Sequence, residues 1–317
     1  MNKTILTIGI ILVLISVSVG YLSFSKIGQL ETKISEEVSN LDTKVKAVDG
    51  KTFAAIDMGM PVGYILEFEN KAKFYFAADT GLMSDMKFVV GDFHKPDVAF
   101  LPIGNIFTMD SEAAAYAASL VNPSTYIVPN HYASFPILEQ DPTKFFTEIK
   151  KYNLRAEPVK FEIGEAKDLM GVKCLWLGHG DWLFESPEGT RILIDPEVEY
   201  NALFPEKYKD LAKFERIDLI LISHAHFDHM TIPDLKRWVK LFDPIIIAPH
   251  EAAVWLKEKL FTDNVIVVNK GGNIGRQDMI NTGMPADKVE KIADIRIKVV
   301  SAEHSSSATP EDSLPRY

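Results

Sequence analysis

The sequence predicts an α/β fold, and three observations point to it. Short apolar runs rich in β-branched and aromatic residues alternate with longer runs of helical period. Several of the short runs end directly on a histidine or an aspartate, so strand ends carry the chemistry. The 317-residue chain is 47% hydrophobic and 25% charged, an ordinary globular balance with enough length to bury a substantial core. Its net charge of −10 disfavours a general nucleic-acid binder, which presents a basic surface.

The elements follow in chain order. Residues 5–24 contain no charge and match the length a helix needs to cross a bilayer. They predict a single-pass anchor spanning residues 1–25. A short tail before a first apolar run stays inside, which places the rest of the chain outside the cytoplasm. A cleaved signal peptide is the alternative, although Val17-Ser18-Val19-Gly20 is a weak small-residue site. Residues 26–51 read as an amphipathic or coiled-coil spacer. There Ile27, Ile34, Leu41 and Val48 recur every seven residues, with Leu30, Val38 and Val45 on the same stripe. Such a stripe would allow a homo-oligomer through residues 27–48.

Residues 52–307 read as one domain. Strand-like runs fall at 62–68, 73–77, 98–101, 125–129, 159–163, 172–177, 182–185, 191–194, 217–222, 245–248, 265–268 and 295–300. Helix-like runs fall at 111–120, with Asp110 as N-cap, and at 142–152, 233–241 and 251–259. Turn signals stand at Glu69-Asn70 and at Pro187-Glu188-Gly189. Residues 308–317 are polar, carry two prolines and read as a loose tail. The single cysteine, Cys174, has no partner for an internal disulfide and sits in a strand-like run, which favours a core role over a nucleophile.

The densest chemistry is Ser223-His224-Ala225-His226-Phe227-Asp228-His229, directly after the apolar run 217–222. Three of the chain's eight histidines lie in these seven residues. Neutral imidazole is the commonest metal ligand, and carboxylate suits the same cations. His224 and His226 can face one position, and Asp228 and His229 a second, so the spacing suggests two neighbouring metals. Asp79, His131 and His304 are further polar groups at candidate strand ends. Singly, each reads as a loop residue; with the cluster they complete a seven-residue set. Asp195 also closes a strand, as either a turn residue or a partner orienting a ligand. His94 and His250 read as surface residues.

These residues resemble the metallo-β-lactamase fold superfamily, within it the small metal-dependent hydrolases related to L-ascorbate 6-phosphate lactonase and N-acylphosphatidylethanolamine phospholipase D. The matching pieces are Trp176-Leu177-Gly178-His179, Ile192-Leu193-Ile194-Asp195-Pro196, the His224–His229 cluster and His304-Ser305-Ser306-Ser307. They continue with Ala78-Asp79-Thr80-Gly81, Pro96-Asp97-Val98-Ala99, Leu101-Pro102-Ile103-Gly104, Phe107-Thr108-Met109, and His131-Tyr132 with Phe135-Pro136. The order is unusual. Residues 52–166 match the family's C-terminal half and residues 170–307 its N-terminal half, so the resemblance implies a circularly permuted αββα sandwich. A rearranged chain whose halves pair between copies is the alternative.

The resemblance also implies a ligand set. His224, His226 and His304 would hold one divalent ion, Asp228, His229 and His131 the other, and Asp79 would bridge them. Zinc is the expected metal, with manganese or iron as alternatives. Asp228 and His179 take the catalytic roles, Asp228 with the water and His179 at the substrate or the metal shell; for His179 a core histidine is the alternative. The implied activity is hydrolysis of an ester, lactone or phosphodiester in a small-molecule or lipid substrate. Flavodiiron relatives reduce oxygen or nitric oxide, but they carry Glu where His226 stands and need a flavin domain for which this chain has no room. A non-catalytic scaffold would have no need of all seven residues.

Overall fold

The computed structural model describes Lys33 and residues 55–308. The expected anchor at 5–24, most of the expected spacer at 26–51, and residues 309–317 lie outside the described residues. Among the described residues, no helix is long and apolar enough to cross a membrane.

The first half contributes β1 (Ile56–Asp57), β2 (Val62–Glu67), β3 (Lys73–Phe76), β4 (Val98–Pro102), α1 (Ser111–Val121), β5 (Tyr126–Asn130), α2 (Thr143–Glu148) and β6 (Glu157–Pro158). The second contributes β7 (Ala166–Leu169), β8 (Val172–Gly178), β9 (Asp181–Glu185), β10 (Arg191–Ile194), β11 (Leu219–Leu221), α3 (Ile232–Phe242), β12 (Ile245–Pro249), α4 (His250–Leu260) and β13 (Val265–Val268). It closes with β14 (Asn273–Ile274), α5 (Arg276–Asn281), α6 (Ala286–Val289), β15 (Arg296–Ser301) and β16 (Ser307–Ala308).

Two seven-stranded sheets result. One runs β14-β15-β2-β3-β4-β5-β6 and the other β13-β12-β11-β10-β9-β8-β7, with β1 and β16 as a separate pair. Period-two alternation explains the layering. Ile192, Ile194, Leu219, Leu221, Ile245 and Ile247 enter the core between the sheets. Their neighbours Leu193, Ile220, Ile222 and Ile246 face the opposite way, against Leu235 and Trp238 of α3 and Leu256 of α4. The first sheet is covered by α1, whose buried Ala114, Ala115, Ala117 and Ala118 permit close approach to β4. The architecture is therefore a four-layered α/β sandwich. Phe100 of β4 ties the sheets together, its ring 4.8 Å from Trp182 and 5.1 Å from Phe184 of β9.

Local signals account for the element ends. Asp110 caps α1 by accepting from the Ala113 N–H at 2.7 Å, and Asn122 ends the helix in a left-handed conformation. The expected strand at 159–163 does not form. Its pairing shortens to Glu157–Pro158, and one more bond runs from the Val159 N–H to the Ile127 carbonyl. Gly164, at φ +76°, then turns the chain towards the other sheet, where its N–H reaches the Trp176 carbonyl. Phe161 inserts beside Trp182 instead of continuing a ladder. Of the expected tail, Ala308 is the one described residue, and it lies in a strand. Ser307 and Ala308 pair with Asp57 and Ile56, because backbone bonds need no apolar pattern. The polar edge strand β7 and the helical stretch Met86–His94 had no clear pattern.

The directions of the strands position the site. Strands β3, β4 and β5 are parallel, as are β10, β11 and β12. Antiparallel pairing through β2 and β9 makes β15 run with β3, and β8 with β10. The strands preceding Asp79, His131, His304, His179, Asp195 and His224 thus all deliver those residues from their C-terminal ends.

Phe100→Ala should destabilise the protein by about 3–5 kcal/mol, because it removes a ring packed between the layers and leaves a cavity. Chemical denaturation measures this; a loss under about 1 kcal/mol would show that Phe100 does not hold the sheets together.

Candidate metal centre

The strand ends converge on the carboxylate of Asp79. Its Oδ2 lies 2.9 Å from His131 Nε2, 3.3 Å from His229 Nε2 and 3.8 Å from His304 Nε2. Three overlapping groups have ligand atoms close enough to share an ion: His224, His226 and His304; His131, His179, Asp228 and His229; and Asp79, His224 and His229. The structure therefore brings together all seven residues singled out in the sequence and adds His179 beside the second group. His94 and His250 are in none of these groups. Cys174 is buried in the core, and burial pushes its thiol up, away from nucleophilic use.

The donor set fits metal ions. His226 Nδ1 lies 3.1 Å from His224 Nε2 and 3.2 Å from His304 Nε2, so three ring nitrogens crowd one point. Neutral imidazoles whose lone pairs are turned to that point would suit a cation between them. Burial lowers His226 to about 4 and depresses His224 and His304, keeping these rings neutral at pH 7. Burial opposes the charge on Asp79 and Asp228, yet neighbouring histidines hold both carboxyls well below the usual range. Burial also disfavours a charged His229, but Asp79, Asp228 and Asp195 outweigh it and draw positive charge onto that ring. Nδ1 of His131 is buried without a hydrogen-bond partner, while His131 Nε2 and His229 Nε2 are buried against the Asp79 carboxylate.

Supporting residues orient the rings. Asp195 Oδ2 lies 3.0 Å from His229 Nδ1 and accepts from the Ser223 hydroxyl at 2.5 Å, while its Oδ1 accepts from the Ser223 N–H. The Ser223 oxygen also lies 2.9 Å from His224 Nδ1. With its own proton given to Asp195, it accepts from that nitrogen. Both His224 and His229 thereby turn Nε2 towards the cluster. Backbone geometry contributes as well. His131, His179 and Asp195 have φ of 55°, 53° and 47°, and each turns sharply off its strand end. Gly104 leaves room for the His131 ring: a Cβ there would lie 2.7 Å from Nδ1. Gly180 does the same for His229, whose Cε1 would lie 2.8 Å away.

Sequence reasoning missed Ser134, whose Oγ lies 2.5 Å from His179 Nδ1, and the tie made by Ser223. A serine in a loop carries no spacing signal. It also missed a buried acidic layer behind the site, where Asp181 Oδ2 accepts from Asn201 and from the Glu197 N–H.

Comparison with known proteins finds metal-dependent hydrolases. A beta-lactamase superfamily domain matches residues 173–313, and a second beta-lactamase superfamily domain matches residues 24–132. A UPF0173 metal-dependent hydrolase from Methanopyrus kandleri is 44% identical over 118 residues, covering 37% of this chain and 49% of the relative. Another from Listeria welshimeri is 49% identical over 94 residues, covering 30% and 40%. A solved metallo hydrolase from Ignicoccus hospitalis shares 40% identity over 29% of this chain and 38% of its own, with a TM-score of 0.27. The chain spans half or less of the length of these relatives. Each domain match covers less than half of the chain; together with these relatives they make it similar to metal-dependent hydrolases of the beta-lactamase superfamily.

Burial pushes the Glu197 carboxyl up to about 8, so the fold holds a proton that the unfolded chain loses near 4.5. The stabilisation from this group is full below the unfolded value and lost as pH rises through the folded one. The thermal midpoint should fall between pH 5 and pH 8.5, and Glu197→Gln should flatten that slope. An unchanged slope in the variant would show that Glu197 titrates normally.

Proposed function

We propose that this chain is a dinuclear metal-dependent hydrolase that cleaves an ester, lactone or phosphodiester bond with a bridging water. The observation that carries the reading is the convergence of His224, His226, His304, His131, Asp228 and His229 about Asp79. His224, His226 and His304 would hold one ion, His131, Asp228 and His229 the other, and Asp79 both; zinc suits the nitrogen-rich set. Two divalent ions would lower the pKa of a shared water and polarise the oxygen of the bond under attack. Asp228, held ionised beside the second ion position, would orient the attacking water as its proton passes to the leaving oxygen. Asp195 and Ser223 keep the His229 and His224 rings in register while this happens. His226, Asp228 and His304 are only half-buried and mark the side from which substrate enters.

Two further readings accompany it. The uncharged run at residues 5–24 supports anchoring of a domain over residues 52–307 outside the cytoplasm, with a membrane lipid phosphodiester as one substrate class. Fractionation with protease accessibility tests this; a soluble mature protein starting after residue 20 would overturn the anchor. A permuted order of the family's halves is supported by the pairing of β15 with β2 from Arg296↔Glu67 to Ser301↔Val62. The pairing of Ile56 with Ala308 also sets the two ends of the described fold side by side. A chain opened between residues 165 and 171, with the present C-terminus joined to residue 52 by a short linker, should fold and keep its metal. A rearranged chain that is unfolded or metal-free would refute the permuted order.

The wild-type protein should carry about two divalent ions per chain by elemental analysis. Asp79→Ala should lose metal together with at least about a hundredfold of hydrolysis in a screen of lactones, phosphodiesters and phospholipids. Hydrolysis at the parental rate by Asp79→Ala would rule out the dinuclear mechanism.

A further inference from the structure

His179 has two polar neighbours, one on each ring nitrogen. Its Nδ1 lies 2.5 Å from Ser134 Oγ, and its Nε2 lies 3.1 Å from Asp228 Oδ2. Ser134 and His179 are both buried. A carboxylate accepts hydrogen bonds and donates none, so the contact with Asp228 needs the ring proton on Nε2. The bare Nδ1 is then an acceptor, and the Ser134 hydroxyl is the donor it meets. The ring is fixed by packing as well, 3.9 Å from the His131 ring and edge-on to Phe135 at 5.4 Å. The His131 N–H donates to the His179 carbonyl, so the loop carrying Ser134 is fastened to the strand end carrying His179.

We propose that Ser134 is a positioning residue: its hydroxyl selects the Nε2–H form of His179, which in turn holds Asp228 Oδ2 and leaves the other carboxylate oxygen for the metal centre. The role rests on the dinuclear reading, with Asp228 as a group of the second ion position. It assigns His179 to the support of Asp228 and not to a metal ligand, although its Nε2 lies close enough to the second group to be mistaken for one. Ser223 plays the matching part on the other side, where it accepts from His224 Nδ1 and so leaves Nε2 bare. Two serines thus set opposite ring tautomers, one for a ligand and one for a support.

Two measurements on the purified full-length protein test this. In metal-free protein with 15N-labelled histidine, long-range 1H–15N correlation should show His179 protonated at Nε2, and Ser134→Ala should mix or reverse that tautomer. Titration with Zn2+ should show the weaker of two ions lost or weakened about tenfold in Ser134→Ala and restored in Ser134→Thr. If Ser134→Ala does not fold, His179→Gln, whose amide can donate to Asp228, should keep the second ion and His179→Leu should lose it. A His179 protonated at Nδ1 in the wild type, or parental tautomer and affinity in Ser134→Ala, would overturn the proposal. Equal zinc binding by His179→Gln and His179→Leu would overturn it too. Uptake of a single ion by the wild type would instead remove the dinuclear reading, and the tautomer measurement would still decide the part played by Ser134.

Discussion

One buried carboxylate constrains the rest of the molecule. Asp79 leaves the first sheet after β3, yet it meets His229 from the second sheet at 3.3 Å as well as His131 from its own at 2.9 Å. An ionised carboxylate removed from water costs several kcal/mol unless charge and hydrogen bonds surround it. The two strand-end edges must therefore close over Asp79 together. The core sets how closely they approach: the Phe100, Trp182 and Phe184 rings span the layers, and the Tyr64 hydroxyl donates to the Ile222 carbonyl just before the histidine cluster. The Val62 N–H donates to the Ser223 carbonyl at the same seam. Layer spacing and site geometry are thus one problem, solved by the same residues.

Local backbone cost is accepted to aim the side chains. Left-handed conformations disfavour residues with a Cβ by roughly 1–2 kcal/mol each. Ala78, His131, His179 and Asp195 all adopt them at the ends of strands that lead into the site. Positive φ at a strand end swings the next side chain off the pleat and towards the facing sheet. Gly104 and Gly180 make the complementary contribution by leaving the volume that the His131 and His229 rings occupy.

This pattern explains what was legible in the sequence and what was not. His224, His226, Asp228 and His229 stood out because their relation is local, fixed by a spacing of two to five residues after an apolar run. Asp79, His131 and His304 carry no such spacing; their place at strand ends and the family resemblance brought them forward. That Asp79 lies beside His229, 150 residues away, depends on sheet packing, which no periodicity encodes. Ser134 was invisible because its partner is a ring nitrogen across a loop. The failed strand at 159–163 has a similar origin. Its alternating apolar residues fit a strand, but Phe161 found a better burial beside Trp182 than an edge ladder offers. The β1–β16 pair was missed because backbone pairing between two-residue segments leaves no trace in composition.

The same geometry bears on the order of the two halves. Strands β6 and β7 are the outermost strands of their sheets, and the segment joining them links the two halves; a second crossing from sheet to sheet, from β13 to β14, lies within the second half. Asp79, His131 and His304 follow strands of the first sheet; His179, Asp195 and His224 follow strands of the second. Strand β15 is supplied by the second half of the chain but lies between β14 and β2 of the first sheet, where it carries His304 to the seam. The first half supplies Asp79 and His131 and the second half the other residues of the cluster, so neither can satisfy Asp79 alone. What holds the centre is the packing of one sheet on the other. The connection at the outer strands only keeps the two halves at high effective concentration, and a short link between residues near 308 and 55 would do so equally well.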